Sequence, residues 1–368
     1  MGWTCPSSLA ERVFAGERVF VYTVSMAGSS LRWEVVGDEP QAALFDPIVE
    51  REPGRGEFRG MEFLHVNARR IINEVPKSSP VPFRHTINAY RGCSHACSYC
   101  FARPTHEFLD MNSGTDFERR IVVKVNAVER LRAELAPARW AGHHIAMGTN
   151  TDPYQRCEGK YRLTRGIVET LAEARNPFSI LTKSTLILRD LDVLAEAATH
   201  ADVRADLSIG TLDEHVWRTT EPGTPHPRRR VEAVARLNAA GIPCGVLVAP
   251  VLPGLSDAPE QVEAVVKACV DAGAVSIAAV LLHLRPGVRE HWFEWLHRER
   301  PDLVDEHESL YPRAYAPKAR QQALSDLVGG LLRRYDRRST STQRSRYIDV
   351  PAPAAPRRPA ARQLPLDL

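Results

Sequence analysis

Short apolar runs alternate with segments of helical periodicity through the middle of the chain. Strands are predicted at residues 85–91, 121–125, 144–148, 178–182, 205–210, 244–251 and 275–284. Helices are predicted between them, at residues 127–136, 165–175, 190–198, 229–240 and 259–272. This alternation is typical of parallel strands joined by helices, either in an open doubly wound sheet or in a barrel. The expected fold class is therefore α/β.

Changes in composition divide the chain into four parts. Residues 1–58 have no regular pattern and form an N-terminal segment of unclear fold, whereas residues 59–290 contain the alternation of strands and helices. Residues 291–337 predict further helices that pack on this core. Residues 338–368 are rich in proline and arginine, which predicts a flexible, disordered tail.

The overall composition excludes several classes of protein. Hydrophobic residues make up 43% of the 368 positions and charged residues 25%, which is ordinary for a globular chain with a buried core. No apolar run approaches the ~18 residues of a membrane span, and the N-terminus lacks the pattern of a secretory signal. We therefore expect a cytoplasmic protein that does not bind membranes. The net charge of +3 does not by itself indicate nucleic acid.

The cysteines give the first chemical signal. Three of the seven, Cys93, Cys97 and Cys100, fall within eight residues at the end of the first predicted strand. An odd number of cysteines without a secretory signal argues against a disulfide framework, and crowded thiolates in a reducing compartment usually bind metal. The spacing C-x3-C-x2-C suits a four-iron cluster in which one iron has no protein ligand. A zinc site with His95 or His106 as fourth ligand is the alternative.

The segment Cys93-x3-Cys97-x-Tyr99-Cys100 resembles the cluster loop of the radical S-adenosylmethionine (SAM) superfamily. Further matching blocks lie at residues 82–84, 148–154, 181–184, 207–211 and 221–224. Together they are most similar to the branch that contains spore photoproduct lyase and its relatives. The resemblance implies a partial (β/α)6 barrel, with an irregular N-terminal segment before it and the tail behind it.

The same resemblance implies the cofactors. They are a [4Fe-4S] cluster on the three cysteines and SAM, which one electron cleaves to a 5′-deoxyadenosyl radical while the protein orients both groups. An electron donor such as flavodoxin or ferredoxin is also implied. The residues matched to SAM are Tyr99, Thr151, Asp152, Lys183 and Ser208. From the residues alone, a solvated charge at Lys183, a turn cap at Asp152 and a core hydroxyl at Ser208 fit as well.

Two positions depart from spore photoproduct lyase. The radical-quenching cysteine of that enzyme matches Thr149 here, and the tyrosine after its third cluster cysteine matches Phe101. Cys157, eight residues after Thr149, is then the candidate catalytic thiol, with an incidental loop thiol as the alternative. Activity on the spore thymine lesion is therefore not expected.

Two features concern partners. The last six residues, from Gln363 to Leu368, resemble the hexapeptide with which bacterial replication and repair proteins bind the sliding clamp. The arginines of the preceding tail favour nearby DNA. The run Arg228-Arg229-Arg230 is interpreted as a solvated face, with a phosphate track as the alternative.

These observations predict a radical SAM enzyme that acts on damaged DNA. Two alternatives stay open. One is a radical SAM enzyme for RNA, a peptide or a small metabolite, because fold and cofactor do not fix the substrate. The other is a non-catalytic iron–sulfur or zinc binding module.

Overall fold

The computed structural model describes residues 48–335, apart from positions 77, 78, 80 and 139. Predictions about residues 1–47 and about the tail, including the clamp-like peptide at its end, lie outside the described residues. The domain boundaries given above remain predictions.

In the described residues, strands form two sheets. The strands are β1 (Glu50–Pro53), β2 (Glu62–Val66), β3 (Ile72–Glu74), β4 (His85–Ile87), β5 (Tyr90–Arg91), β6 (Arg120–Lys124), β7 (Ile145–Met147), β8 (Phe178–Thr182), β9 (Val203–Ser208), β10 (Cys244–Val251) and β11 (Ile277–Leu281). The larger sheet has the order β11-β10-β9-β8-β7-β4-β3, and the smaller has the order β1-β2-β6-β5.

The larger sheet is the predicted partial barrel. Its strands β4, β7, β8, β9, β10 and β11 are neighbours in their order along the chain, and every pair among them is parallel. A doubly wound sheet would reverse direction at a switch point, whereas this order is that of a barrel wound in one direction. In the described residues the end strands β3 and β11 do not pair, so the barrel stays open. The α/β fold class and the (β/α)6 arrangement are thus confirmed.

The strand predicted at residues 121–125 is β6, and it lies in the smaller sheet rather than in the barrel. There it pairs in parallel with β2 and antiparallel with the short strand β5. The segment predicted as one strand at residues 85–91 is likewise divided, because β4 belongs to the barrel and β5 to the smaller sheet. The smaller sheet therefore braces the chain just before the first clustered cysteine.

Helices connect the barrel strands and follow the last of them. The α-helices of the described residues are α1 (Thr115–Arg119), α2 (Ala127–Leu135), α3 (Glu158–Tyr161), α4 (Leu163–Glu173), α5 (Leu191–Ala198), α6 (Glu214–Thr220), α7 (Pro227–Ala239), α8 (Pro259–Asp271), α9 (Val288–Glu299), α10 (Val304–Leu310) and α11 (Lys318–Tyr335). Short 3₁₀ helices are Gly56–Phe58, Arg103–Leu109, Thr185–Asp190 and Pro301–Leu303. None of the helices described is long and apolar enough to cross a membrane.

The hydrophobic core lies between the barrel strands and their covering helices. Ile145, Ile180 and Leu207 on the strands are fully buried, as are Leu237 and Val266 on the helices. Burying each such side chain contributes about 1.5–3 kcal/mol. This packing fixes the strand ends from which the candidate site is built.

Helix α9 packs beside two loops of the candidate site, whereas α11 packs on α8 and β11. Trp292 and Trp295 on α9 are buried, and their rings stack with centroids 4.7 Å apart. The Trp292 ring lies 6.4 Å from the Tyr99 ring, and Trp295 donates a hydrogen bond of 2.9 Å to the carbonyl of Thr219. Helix α9 therefore supports two of the loops that form the site.

Candidate active site

The cysteine loop, residues 92–100, follows β5 and is held by backbone contacts. Gly92 has a φ of +78°, and a Cβ there would lie 2.8 Å from the carbonyl oxygen of Phe117. The N–H of Cys93 donates to the same oxygen at 2.8 Å. Gln155 donates to the carbonyl of Gly92 and accepts from the N–H of Ser94, both at 3.0 Å. Contacts within the protein thus hold the conformation of this loop.

A second loop, residues 220–224 after α6, lies directly on the cysteine loop. A Cβ on Gly223 would lie 2.1 Å from the carbonyl oxygen of Ser94, so only glycine fits this contact. Gly223 donates to the carbonyl of His95 at 3.0 Å, and Ser98 donates to the carbonyl of Thr220 at 2.9 Å. These bonds fix the 220–224 loop to the cysteines.

Cys93, Cys97 and Cys100 are free thiols in this buried loop. Burial raises the pKa of all three, and Cys100 and Cys97 add to the rise at Cys93. The sulfur atoms are therefore close enough to repel one another as thiolates. Across the described ranges, no three His, Cys, Asp or Glu side chains already surround a common metal position. The fit to a cluster consequently rests on the donors, three thiols that can each bind one iron.

The two histidines considered as zinc ligands have other contacts. The Nδ1 atom of His95 lies 3.4 Å from a carboxylate oxygen of Asp152. The Nε2 atom of His106 lies 3.0 Å from the carbonyl oxygen of Arg120. Both rings are buried where they stand. Within the described part of the chain, neither histidine is grouped with the thiols around a common metal position.

Lys183, at the end of β8, is the centre of a polar cluster beside the cysteine loop. Its Nζ atom donates to the Ser208 hydroxyl at 2.8 Å, to the Glu221 carboxylate at 2.9 Å and to the carbonyl of Ala249 at 3.2 Å. It also lies 5.4 Å from the centre of the Tyr99 ring, and the Tyr99 hydroxyl donates to Glu221. The structure therefore brings together three of the residues that the sequence matched to SAM, namely Tyr99, Lys183 and Ser208.

Arg230 completes what we call the Lys183 cluster, which consists of Tyr99, Lys183, Ser208, Glu221 and Arg230. Its guanidinium pairs with Glu221 and donates to the carbonyl of Ser208 at 2.9 Å. Burial opposes ionisation of Glu221, but the charges of Arg230 and Lys183 outweigh it and lower the pKa of this carboxyl. Arg230 is 1% exposed, so the interpretation of the arginine run as a solvated face was wrong for this residue.

Thr151 and Asp152 join the strand ends to each other. Thr151 donates to the carbonyl of Tyr90 at 3.1 Å. Asp152 accepts from the hydroxyl of Thr182 at 2.6 Å and from the N–H of Lys183 at 2.7 Å. Burial opposes its ionisation, but His95 and these donors lower its pKa. Asp152 is thus a charged brace between the cysteine loop, β7 and β8.

The remaining predicted residues lie elsewhere. Cys157 is fully buried in the hydrophobic core at the start of α3, and burial raises the pKa of its thiol. No described contact joins it to the Lys183 cluster. Phe101, directly after the third clustered cysteine, is 59% exposed.

Sequence reasoning missed three charged residues. Glu221 belonged to a block that was matched without a role, and Arg230 was interpreted as solvated. The third is Arg103, which is fully buried, donates to the carbonyl of Cys97 at 3.0 Å and pairs with Glu118. A buried arginine that holds the cysteine loop leaves no periodic signal, because it lies on a short 3₁₀ helix.

Comparisons with known proteins agree with this geometry. The model of the radical SAM superfamily matches residues 87–272. An uncharacterised protein of Mycobacterium tuberculosis is 45% identical over 280 residues, which cover 76% of this chain and 82% of that protein. A protein of Pseudomonas phage M6 named radical SAM Nalpha-GlyT isomerase is 26% identical over 168 residues, 44% of this chain and 32% of its own.

Solved structures give the same fold. Spore photoproduct lyase with bound AdoMet and dinucleoside spore photoproduct has a TM-score of 0.54 and 17% sequence identity. The match covers 75% of this chain and 80% of the lyase. At this identity the likeness concerns the fold alone.

Proposed function

The chain belongs to the radical SAM superfamily, and we propose that it is an enzyme with a [4Fe-4S] cluster on Cys93, Cys97 and Cys100 and with SAM beside it. When bound, these groups supply one-electron cleavage of SAM to a 5′-deoxyadenosyl radical that abstracts hydrogen. The observation that carries the proposal is the position of the three thiols, of which Cys93 and Cys97 are buried, on a loop whose Tyr99 ring lies under the partly buried Lys183.

The charges of the Lys183 cluster suit the carboxylate of SAM. Lys183 and Arg230 are two cations that share one carboxylate, Glu221. Burial raises the pKa of Tyr99, which keeps its hydroxyl neutral. One positive charge is therefore not neutralised by the protein, and we propose that it binds the carboxylate of SAM.

The other matched residues act as supports in this proposal. Ser208 and Tyr99 hold Lys183 in place through its Nζ atom and through Glu221. Asp152 fixes the backbone of Lys183, and Thr151 fixes the segment before it. Cys157 is a weaker candidate for hydrogen transfer, because its thiol is enclosed by the core.

For the substrate we propose damaged DNA. The solved structure of spore photoproduct lyase with a bound dinucleoside spore photoproduct supports it. The phage relative is named an isomerase, which supports a reaction other than that of a lyase. The replacements at Thr149 and Phe101 favour a reaction different from that of the lyase. RNA, a peptide or a small metabolite is the alternative substrate, and a non-catalytic module the alternative role.

The first experiment is anaerobic reconstitution with iron and sulfide, reduction, and chromatography for 5′-deoxyadenosine from added SAM. We expect product from the native chain and none from Cys97→Ala. Cys269→Ala, which removes a buried thiol far from the loop on α8, is the matched control and should keep the activity. A cluster-loaded, reduced protein that releases no 5′-deoxyadenosine, with or without substrate candidates, would refute the proposal in favour of a binding module.

The substrate is tested in the same assay. Ultraviolet-irradiated oligonucleotides should raise the release of 5′-deoxyadenosine above that with undamaged DNA. A larger rise with RNA or peptides would instead identify the alternative class. Flavodoxin or ferredoxin is the proposed electron donor and should replace dithionite.

We propose that the tail binds the bacterial sliding clamp and that the protein is located in the cytoplasm. Its binding is tested by titrating purified clamp with the full chain and with a chain that ends before Gln363. We expect binding only when the last six residues are present. Equal affinity of the two chains, or none at high micromolar concentration, contradicts it.

A further inference from the structure

A cavity of about 330 Å³ is lined by residues of both sheets and by Thr149 and Asn150, which precede Asp152. The residues that matter for its chemistry are Thr86, Asn88, Arg91, Lys124, Thr149 and Asn150. They come from the barrel strands β4 and β7, or directly follow them, and from β5 and β6 of the smaller sheet. The cavity is thus built where the two sheets meet.

The described residues that line this cavity include two cations, Lys124 and Arg91, and no carboxylate. Lys124 is 4% exposed, and its Nζ atom donates to the carbonyl of Asn88 at 2.8 Å. Among the described residues, no carboxylate lies within ion-pair distance of Lys124 or of Arg91. The pair therefore carries an unbalanced positive charge in a half-enclosed polar space.

The environment makes this charge unfavourable without an anion. Burial lowers the pKa of Lys124 to about 7 and Arg91 acts in the same direction, whereas the charge of Glu134 opposes them more weakly. The Oδ1 atom of Asn88 is buried without a hydrogen-bond partner, although this residue lines the cavity. Buried polar groups are normally paired, so the cations indicate an acceptor and Asn88 Oδ1 indicates a donor, such as an N–H of the base that accompanies a nucleotide phosphate.

The location relates the cavity to the proposed SAM site. Thr149 and Asn150 line the cavity, whereas Asp152, two residues later, accepts from the N–H of Lys183. One short segment therefore separates the two sites. Because the Lys183 cluster already provides for the SAM carboxylate, the cavity is free for the second reactant.

We propose that this cavity binds a phosphate group of the substrate, the phosphodiester of a nucleic-acid strand, through Lys124 and Arg91. The proposal rests on the proposed function and specifies its substrate class. A guanidinium and an ammonium can each bind separate oxygens of one phosphate, and the negative charge of the phosphate favours the protonated form of Lys124. The volume is at the lower end of ligand pockets, ~300–1,000 Å³, and suits one nucleotide unit.

The test measures binding on the cluster-reconstituted full chain without SAM or reductant. The probe is a fluorescein-labelled thymidine tetranucleotide, read by anisotropy, and its matched control carries neutral methylphosphonate linkages. Lys124→Met and Arg91→Gln should each weaken binding of the phosphodiester probe by ~10-fold or more. Lys267→Gln, which removes an exposed lysine on α8, should not change it. Unchanged affinity in both cavity variants, or equal binding of the neutral probe, overturns the proposal.

A second measurement needs no variant that could misfold. Inorganic phosphate should raise the melting temperature of the native chain by several degrees over chloride at equal ionic strength, through binding to the folded state. The conservative variant Thr149→Val should show a smaller rise. An equal melting temperature in phosphate and in chloride would contradict anion binding in the cavity.

Failure of the two proposals can be distinguished. A chain that binds the phosphodiester probe through Lys124 but never cleaves SAM refutes the enzyme and retains the anion site. If the chain cleaves SAM but binds both probes equally, the proposed enzyme activity stands and the proposed anion site is refuted.

Discussion

Two pairs of buried or partly buried cations lie near the segment from Thr149 to Asp152, and they differ in charge balance. In the Lys183 cluster, Lys183 and Arg230 both contact Glu221. In the cavity, no carboxylate among the described lining residues accompanies Lys124 and Arg91. Glu221 thus offsets one of the two positive charges in the Lys183 cluster, whereas the cavity has no comparable partner in the described lining.

The pKa values express the same difference. The cations beside Glu221 lower the pKa of this buried carboxyl, so the cluster stays ionised and pairs internally. Lys124, without a carboxylate in contact, has its pKa lowered to about 7, chiefly by burial. Charge is therefore stable in the first group and costly in the second. Three substitutions test this contrast.

The largest effect is expected from Glu221→Gln, which makes the Lys183 cluster resemble the cavity. Two buried cations would lose their common carboxylate, and breaking a buried pair typically costs about 3–5 kcal/mol. Urea unfolding should show the free energy of unfolding falling by about that amount. Glu263→Gln, which breaks an exposed pair with Arg334, should change it by less than ~1 kcal/mol. Equal effects of the two variants would show that Glu221 does not neutralise the cluster.

The second effect concerns pH and Lys124. Its folded pKa of about 7 lies below the ordinary value of 10.5. Between these values the unfolded chain binds more protons, so the free energy of unfolding should rise as the pH increases from about 7 towards 10. Lys124→Met should lack this part of the rise, a difference of about 2–3 kcal/mol by urea unfolding at pH 7 and pH 9.5 without phosphate. Lys267→Gln should keep it, and identical slopes for native chain and Lys124→Met disprove the unbalanced charge.

The smallest effect is expected from Asn88→Asp, which gives the cavity its own carboxylate. The new charge lies beside Lys124 and Arg91, so the free energy of unfolding should rise by about 1 kcal/mol. Phosphate should then no longer raise the melting temperature. Asn112→Asp, at an exposed turn, is the control and should leave the response to phosphate unchanged. If phosphate raises the melting temperature of Asn88→Asp as much as that of the native chain, the anion does not bind in this cavity.

Much of the fold could be predicted because its signals are local. Strand and helix periods are visible in short windows, and the predicted strands at residues 178–182 and 244–251 coincide with β8 and β10. The division of residues 85–91 between two sheets could not be predicted, because pairing with β7 or with β6 depends on distant segments. The position of β6 in the smaller sheet could not be predicted for the same reason.

The candidate site shows the same limit. The cysteine spacing is a local pattern, whereas the pairing of Arg230 with Glu221 depends on how α7 lies on the barrel. One signal was present in the sequence. Arg230, Ala233, Val234 and Leu237 share a helical face at spacings of three and four, and all four are buried. An arginine in an apolar stripe predicts a buried partner. Nothing comparable indicated that Cys157 would be enclosed.

Gly223 has a consequence for how such proteins can be recombined. Its missing side chain is required by the carbonyl of Ser94, on a segment far away in sequence. A chimera with a relative should therefore exchange the cysteine loop and the 220–224 loop together. Hybrids with a single crossover between the two loops should fold poorly. Hybrids that take both loops from one parent should fold stably.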